Sequence, residues 1–124
     1  MKKVLKAANT PPSTLPYSPG LQIGNTVYVS GQLPMCPKTG KLETEIKAAT
    51  KLMFQNMEAV LKEANMTMEN VVKVTVFMSD LEMYNDMNAV YAECFNAPYP
   101  TRSCVQVARL PRDAIIEAEC IAMQ

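Results

Sequence analysis

The run Val71-Val72-Lys73-Val74-Thr75-Val76-Phe77-Met78 constrains the fold most, because it is nearly continuous β-branched and apolar sequence. A segment this short and apolar predicts a central strand covered on both faces. Such a strand needs a partner on each side, and much of the chain reads as material for them.

Lys2 to Ala7 reads as a short edge strand. Asn9 to Gly20 carries Pro11, Pro12, Pro16 and Pro19 and reads as irregular loop. Tyr17 lies in its middle, where the ring could hold the loop down or the hydroxyl could serve a ligand. Leu21 to Ile23 and Thr26 to Ser30 are two strands joined by the tight turn Gly24-Asn25. Gly31 then permits a bulge, or a close approach to its backbone N–H. Pro34 to Gly40 is another loop.

Glu43 to Asn65 has apolar residues at helical spacing (Ile46, Ala49, Met53, Met57, Val60, Ala64), with Thr44 or a neighbour as cap. Ser79-Asp80 caps a second helix, Leu81 to Asn96, with Leu81, Tyr84, Asn88, Tyr91 and Phe95 along one face. Asn88 is the odd member of that face, since an amide in an apolar stripe must find hydrogen-bond partners. After Pro98 and Pro100, the stretch Pro100 to Glu119 reads as a hairpin around Leu110-Pro111-Arg112-Asp113. The order β-β-β-α-β-α-β-β predicts an α+β domain over residues 1–124, a mixed sheet with two helices on one face. The other face stays uncovered, which predicts self-association.

Lysine plus arginine equals aspartate plus glutamate at 12 each, so neither a nucleic-acid footprint nor an acidic-membrane footprint is present. The expected partner is a small molecule or another copy of the chain. Histidine is absent, which removes the commonest general base and metal ligand and leaves Glu, Tyr, Arg or backbone groups for any catalysis. Cys36, Cys94, Cys104 and Cys120 are widely spaced without a Cys-x-x-Cys pair, so no zinc or redox motif is signalled. The basic start lacks an apolar secretory core, and reduced thiols fit a cytoplasmic location with no membrane span.

The proposed hairpin sets charge into apolar strands. Alternation places Arg102 with Cys104 on one face and Glu117 with Glu119 on one face of the return strand. A guanidinium grips a carboxylate bidentately, and a partly buried glutamate can exchange protons or position water. The plainer reading is an ion pair on an edge strand. If Arg109 pairs with Ala114, Arg102 and Glu117 share a face but lie roughly 13 Å apart at ~3.3 Å per residue. A shared site then needs a bulge or a second subunit, and the prediction is an intermolecular cleft.

The chain resembles the reactive intermediate/imine deaminase family, also called the Rid or YjgF family. The resemblance rests on Leu15-Pro16-Tyr17-Ser18, Tyr28-Val29-Ser30-Gly31-Gln32-Leu33-Pro34, Pro37-Lys38-Thr39-Gly40, Val72 to Met78 and Asn88-Ala89-Val90-Tyr91. Most specific is Pro100-Thr101-Arg102-Ser103-Cys104-Val105-Gln106-Val107-Ala108-Arg109-Leu110-Pro111. It implies a chorismate-mutase-like fold, a homotrimer with clefts between subunits, and hydrolysis of 2-imino or enamino acids to 2-oxo acids and ammonia, without cofactor or metal.

It also implies the site. Arg102 and the Gly31 N–H would hold the substrate carboxylate, backbone near Cys104 would face the imine nitrogen, and Glu117, with Tyr17, would orient water. Ser30, Asn88 and Cys104 would line the pocket with Gly31, and the thiol need not be a nucleophile. Gln106 departs from the glutamate of many relatives. RNA cleavage with translation inhibition is the rival activity, opposed by zero net charge and the lack of histidine. A non-enzymatic binding or chaperone-like role is the third, opposed by the presence of Arg102.

Overall fold

The computed structural model describes residues 1–8, 10 and 13–124. Asn9, Pro11 and Pro12 of the proline-rich loop lie outside the described residues. The elements are β1 (Lys3–Leu5), β2 (Gly20–Ile23), β3 (Thr26–Gln32), α1 (Ile46–Lys62), β4 (Val71–Met78), α2 (Tyr84–Cys94), β5 (Thr101–Gln106) and β6 (Ile116–Met123). Their order is the one expected, and they form an α+β domain with a six-stranded sheet ordered β1-β2-β3-β6-β4-β5. Only β4 and β5 run parallel, so the sheet is mixed.

Alternation sorts the strands into two faces. Val27, Val29, Val74, Val76, Met78, Ile116, Ala118, Cys120 and Ala122 are buried in one core with Met53, Phe54, Met57, Val60 and Leu61 of α1 and Met87 and Tyr91 of α2. Phe54, Tyr91 and Phe95 lock the helices together, with Phe54 edge-on to the other two rings at 5.6 and 5.2 Å. Each such pair adds about 0.5–1.5 kcal/mol beyond its buried area. The cap of α1 is Glu45, whose carboxylate accepts from Lys47 N and Ala48 N. Asn65, at φ 57°, supplies the left-handed residue beyond the helix end.

The opposite face carries Tyr28, Lys73, Thr75, Phe77, Glu117, Glu119 and Ile121, and among the described residues no helix packs on it. β4 is therefore interior to the sheet but covered by its own chain on one face only, against the expectation of cover on both. Lys73 and Thr75 are the residues that needed that difference.

The expected hairpin does not form. β5 is an edge strand pairing in parallel with β4, and β6 is inserted between β3 and β4. The physical reason is the connection. After β4, helix α2 returns the chain for a parallel partner, and residues 107–115 are long enough to carry it past β4 to the far side. Leu110 and Ala114 are buried along that path. Arg112 and Asp113, at φ 58° and 59°, turn the chain, and Arg112 Nη2 donates to Gly40 O at 3.0 Å. With no hairpin, the pairing of Arg109 with Ala114 and the shared face of Arg102 and Glu117 are both overturned.

The bulge expected at Gly31 is present: pairing slips between Val29↔Cys120 and Gln32↔Ala118, and the Glu117 side chain lies against the space that a Cβ on Gly31 would take.

Candidate active site

Arg102 and Cys104 register with Val74 and Val76, so they project on the helix face of the sheet. There Arg102 meets α2. Its Nη1 donates to Asn88 Oδ1 at 2.7 Å and its Nη2 to Tyr84 Oη at 2.9 Å. The guanidinium carbon lies 4.6 Å from the centre of the Tyr91 ring and 5.6 Å from that of Tyr84. The helical spacing of residues 84, 88 and 91 brings all three side chains to this one cation. The amide in the apolar stripe thus has its partner.

Among the described residues the one ion pair is Arg109–Asp113, which is exposed. Arg102 is anchored by neutral acceptors and a ring face, and no carboxylate lies within ion-pair distance of it. Five guanidinium N–H groups minus two leaves three for a ligand. Its charge is uncompensated at a half-buried position, which is an anion site by elementary electrostatics. Cys104 beside it is kept as a thiol: burial raises its pKa, and the nearby Arg102 charge offsets only part of that.

Glu117 and Glu119 register with Phe77 and Thr75 and project on the open face. A Cβ built on Gly31 would stand 2.8 Å from Glu117 Cδ and 2.9 Å from its Oε2. Burial, and then the neighbouring Glu119, hold the Glu117 carboxyl above the ordinary glutamate range. Ser30, next to Gly31, donates its hydroxyl to Ser18 O at 2.6 Å. It lines an open depression of about 290 Å³ with Ser18, Tyr28, Glu119 and Ile121. Tyr17 is 60 % exposed, and its hydroxyl makes no hydrogen bond among the described residues. The ring is therefore mostly open to solvent and its hydroxyl is free for a ligand.

The expected site residues thus fall into two groups in one chain. Arg102, Asn88 and Cys104 gather at the β5 edge on the helix face. Ser30, Gly31 and Glu117 gather at the β3–β6 bulge on the open face, with Tyr17 on the loop before β2. The ion pair between Arg102 and Glu117, the plainer reading, is not formed. Tyr84 and Tyr91 were not anticipated as neighbours of Arg102. The signal for them lay in the same stripe, where two tyrosines and an amide predict a polar guest.

Two results are expected at the bulge. Gly31→Ala displaces the Glu117 carboxylate, whose flexible end yields more readily than backbone. Melting temperature should change little, while any chemistry that depends on the Glu117 carboxylate should slow by up to about 10²-fold, which a 1 Å misplacement can cost. For Glu117 the sign follows from its raised folded-state pKa: folding favours the proton, so ionised Glu117 costs stability above that pKa. Glu117→Gln should therefore melt above wild type at neutral pH. The difference should vanish at pH values below the ordinary glutamate range, about 4.3. It should be small, since the carboxyl is about half in solvent and screened. Thermal melts at the two pH values check this, and a lower neutral-pH melting temperature for the variant contradicts it.

The profile of the endoribonuclease L-PSP family matches residues 7–124. An Escherichia coli K12 protein named 2-iminobutanoate/2-iminopropanoate deaminase is 39 % identical over 127 residues, covering 100 % of this chain and 99 % of its own. Among solved structures, E. coli TdcF with bound serine is 38 % identical with a TM-score of 0.92, covering 98 % of each chain. The E. coli YjgF gene product is 38 % identical with a TM-score of 0.93, also covering 98 % of each. The full-length match in sequence and in fold leaves one assignment: the chain belongs to the endoribonuclease L-PSP family, known also as the YjgF or Rid family.

Proposed function

We propose that the protein is a 2-imino acid deaminase that hydrolyses 2-iminopropanoate and 2-iminobutanoate, with their enamine tautomers, to 2-oxo acids and ammonia. The observation that carries this reading is Arg102, a cation held rigidly by neutral groups with no acid of its own. A small carboxylate is the ligand that completes it. The name of the E. coli relative supports the substrate class, and the serine in TdcF is a small 2-amino acid of matching head groups.

In this reading Arg102 and the Gly31 N–H hold the carboxylate, which places the imine carbon beside Glu117. Glu117 takes a proton from water as it adds to the C=N carbon, and its raised pKa brings it nearer the working pH. Glu117 returns that proton to the imine nitrogen, which gives the neutral carbinolamine, and then carries the hydroxyl proton to the amine, so that the C–N bond breaks, ammonia leaves and the C=O bond forms. Tyr17 and backbone near Cys104 steer the water and the nitrogen, while Cys104 stays a neutral lining group.

The site is assembled between copies in a homotrimer. β5 is a mostly exposed edge strand carrying Arg102, and the open sheet face carries Glu117, with Tyr28, Val105 and Met123 at 47, 43 and 48 % exposure. Both surfaces need cover, and laying one copy's edge on the next copy's face covers both. The ribonuclease named in the family description has no matching feature here, since the chain has zero formal charge and no histidine.

The test is the rate of 2-oxo acid and ammonia release from 2-aminoacrylate generated in situ by a serine-dehydrating enzyme. The protein should accelerate release well above the uncatalysed rate. A rate equal to that of buffer removes the reading.

A further inference from the structure

We propose that Tyr84 is a positioning residue for carboxylate recognition: its hydroxyl fixes the guanidinium of Arg102 in the plane that the substrate carboxylate meets. The inference rests on the deaminase reading for its substrate and on geometry for its mechanism.

Arginine is a long, flexible side chain, and a bidentate contact needs its planar fork in one orientation. One hydrogen bond leaves a guanidinium free to swing about it, whereas two acceptors plus a stacked ring fix both plane and direction. Asn88 supplies one acceptor at 2.7 Å, the Tyr91 ring supplies the stacking surface at 4.6 Å, and Tyr84 supplies the second acceptor at 2.9 Å. Tyr91 cannot replace it. The Tyr91 hydroxyl is buried without a hydrogen-bond partner among the described residues, so that residue offers Arg102 only its ring.

Tyr84 is itself held. It opens α2 directly after the turn Leu81–Met83, whose first N–H groups are capped twice. Asp80 Oδ1 accepts from Glu82 N at 2.9 Å, and Gln106 Oε1 accepts from Leu81 N at 2.9 Å. Gln106 is the last residue of β5, the strand that carries Arg102. The start of α2 is thus tied to the same strand whose cation it orients, and the uncharged Gln106 amide has its structural use. Pre-organisation of this kind lowers the ordering cost of binding, so its loss appears in affinity and not in the chemical step.

The experiment compares wild type with Tyr84→Phe in the full-length protein, which keeps the ring and removes the hydroxyl. Steady-state kinetics on 2-iminobutanoate are read alongside the Kd for 2-oxobutanoate by calorimetry. The expected result is a rise of about three- to tenfold in both KM and Kd, with kcat unchanged within about twofold. Because Tyr84 is partly exposed, the melting temperature should stay near wild type. An unchanged Kd, or a loss in kcat without a change in KM, overturns the proposal. If wild type binds 2-oxobutanoate without deaminating, the deaminase reading fails and the Kd ratio still decides the clamp. If wild type does not bind it at all, the carboxylate role of the clamp is refuted as well.

Discussion

Arg102→Ala is expected to lower kcat/KM on 2-iminopropanoate about 10²- to 10³-fold and to leave the protein folded. The magnitude follows from what the side chain is placed to do. Truncating one partner of a partly desolvated, hydrogen-bonded charge pair costs about 3–4 kcal/mol, and each 1.36 kcal/mol is about tenfold in rate. The modest effect on stability follows from what surrounds it. Its protein partners are the neutral Asn88 amide and Tyr84 hydroxyl, so removal strands no buried charge. Both groups lie where water can reach them once the guanidinium is gone, and the lost contact with the Tyr91 ring costs about 0.5–2 kcal/mol. Arg102→Lys should recover little, because an ammonium cannot serve Asn88, Tyr84 and a bidentate ligand together. Kinetics on the in situ substrate and a melting curve decide both points. Wild-type kcat/KM in Arg102→Ala would end the assignment of that residue.

Much of the fold was legible because its signals are local. The β-branched run at residues 71–78, the Gly24-Asn25 turn and the helical spacing from Ile46 onward each announce an element within a few residues. Gly31 was legible too, since a glycine at a strand end has few uses. What could not be read was which strands pair. Period-2 alternation on both sides of Leu110-Pro111-Arg112-Asp113 is equally consistent with a hairpin and with two strands that part company. The choice is made by distant residues: α2 delivers β5 parallel to β4, and β3 leaves an open partner for β6. The same limit applies to the site. The residues themselves could be picked out, but their distribution over two sheet faces depends on pairing, and the inference of an intermolecular cleft began from a register that does not exist.

The observed pairing puts Arg102 and Glu117 further beyond each other's reach within one chain than a hairpin would. Arg102 registers with Val74 and Glu117 with Phe77, so the two side chains leave opposite faces of the sheet. Two strand spacings separate them, about 10 Å across the sheet, with about 10 Å more along it. No rotamer of one chain closes that gap through a packed sheet. If both act on one substrate, two copies must contribute, and a mixing experiment should reveal it. Arg102→Ala and Glu117→Gln proteins are each expected to be nearly inactive. Unfolded together in equal amounts and refolded, they should form mixed oligomers in which about one interface in four joins an intact Arg102 to an intact Glu117. Activity should rise from the background of either parent to about a quarter of that of refolded wild type, a gain near 10²-fold without any new residue. A site contained within one chain gives the opposite outcome, because every chain in the mixture lacks one of the two groups. Activity that stays at the parental background, in a mixture shown by size and mass to contain hybrids, would place Arg102 and Glu117 in separate roles and dissolve the cleft.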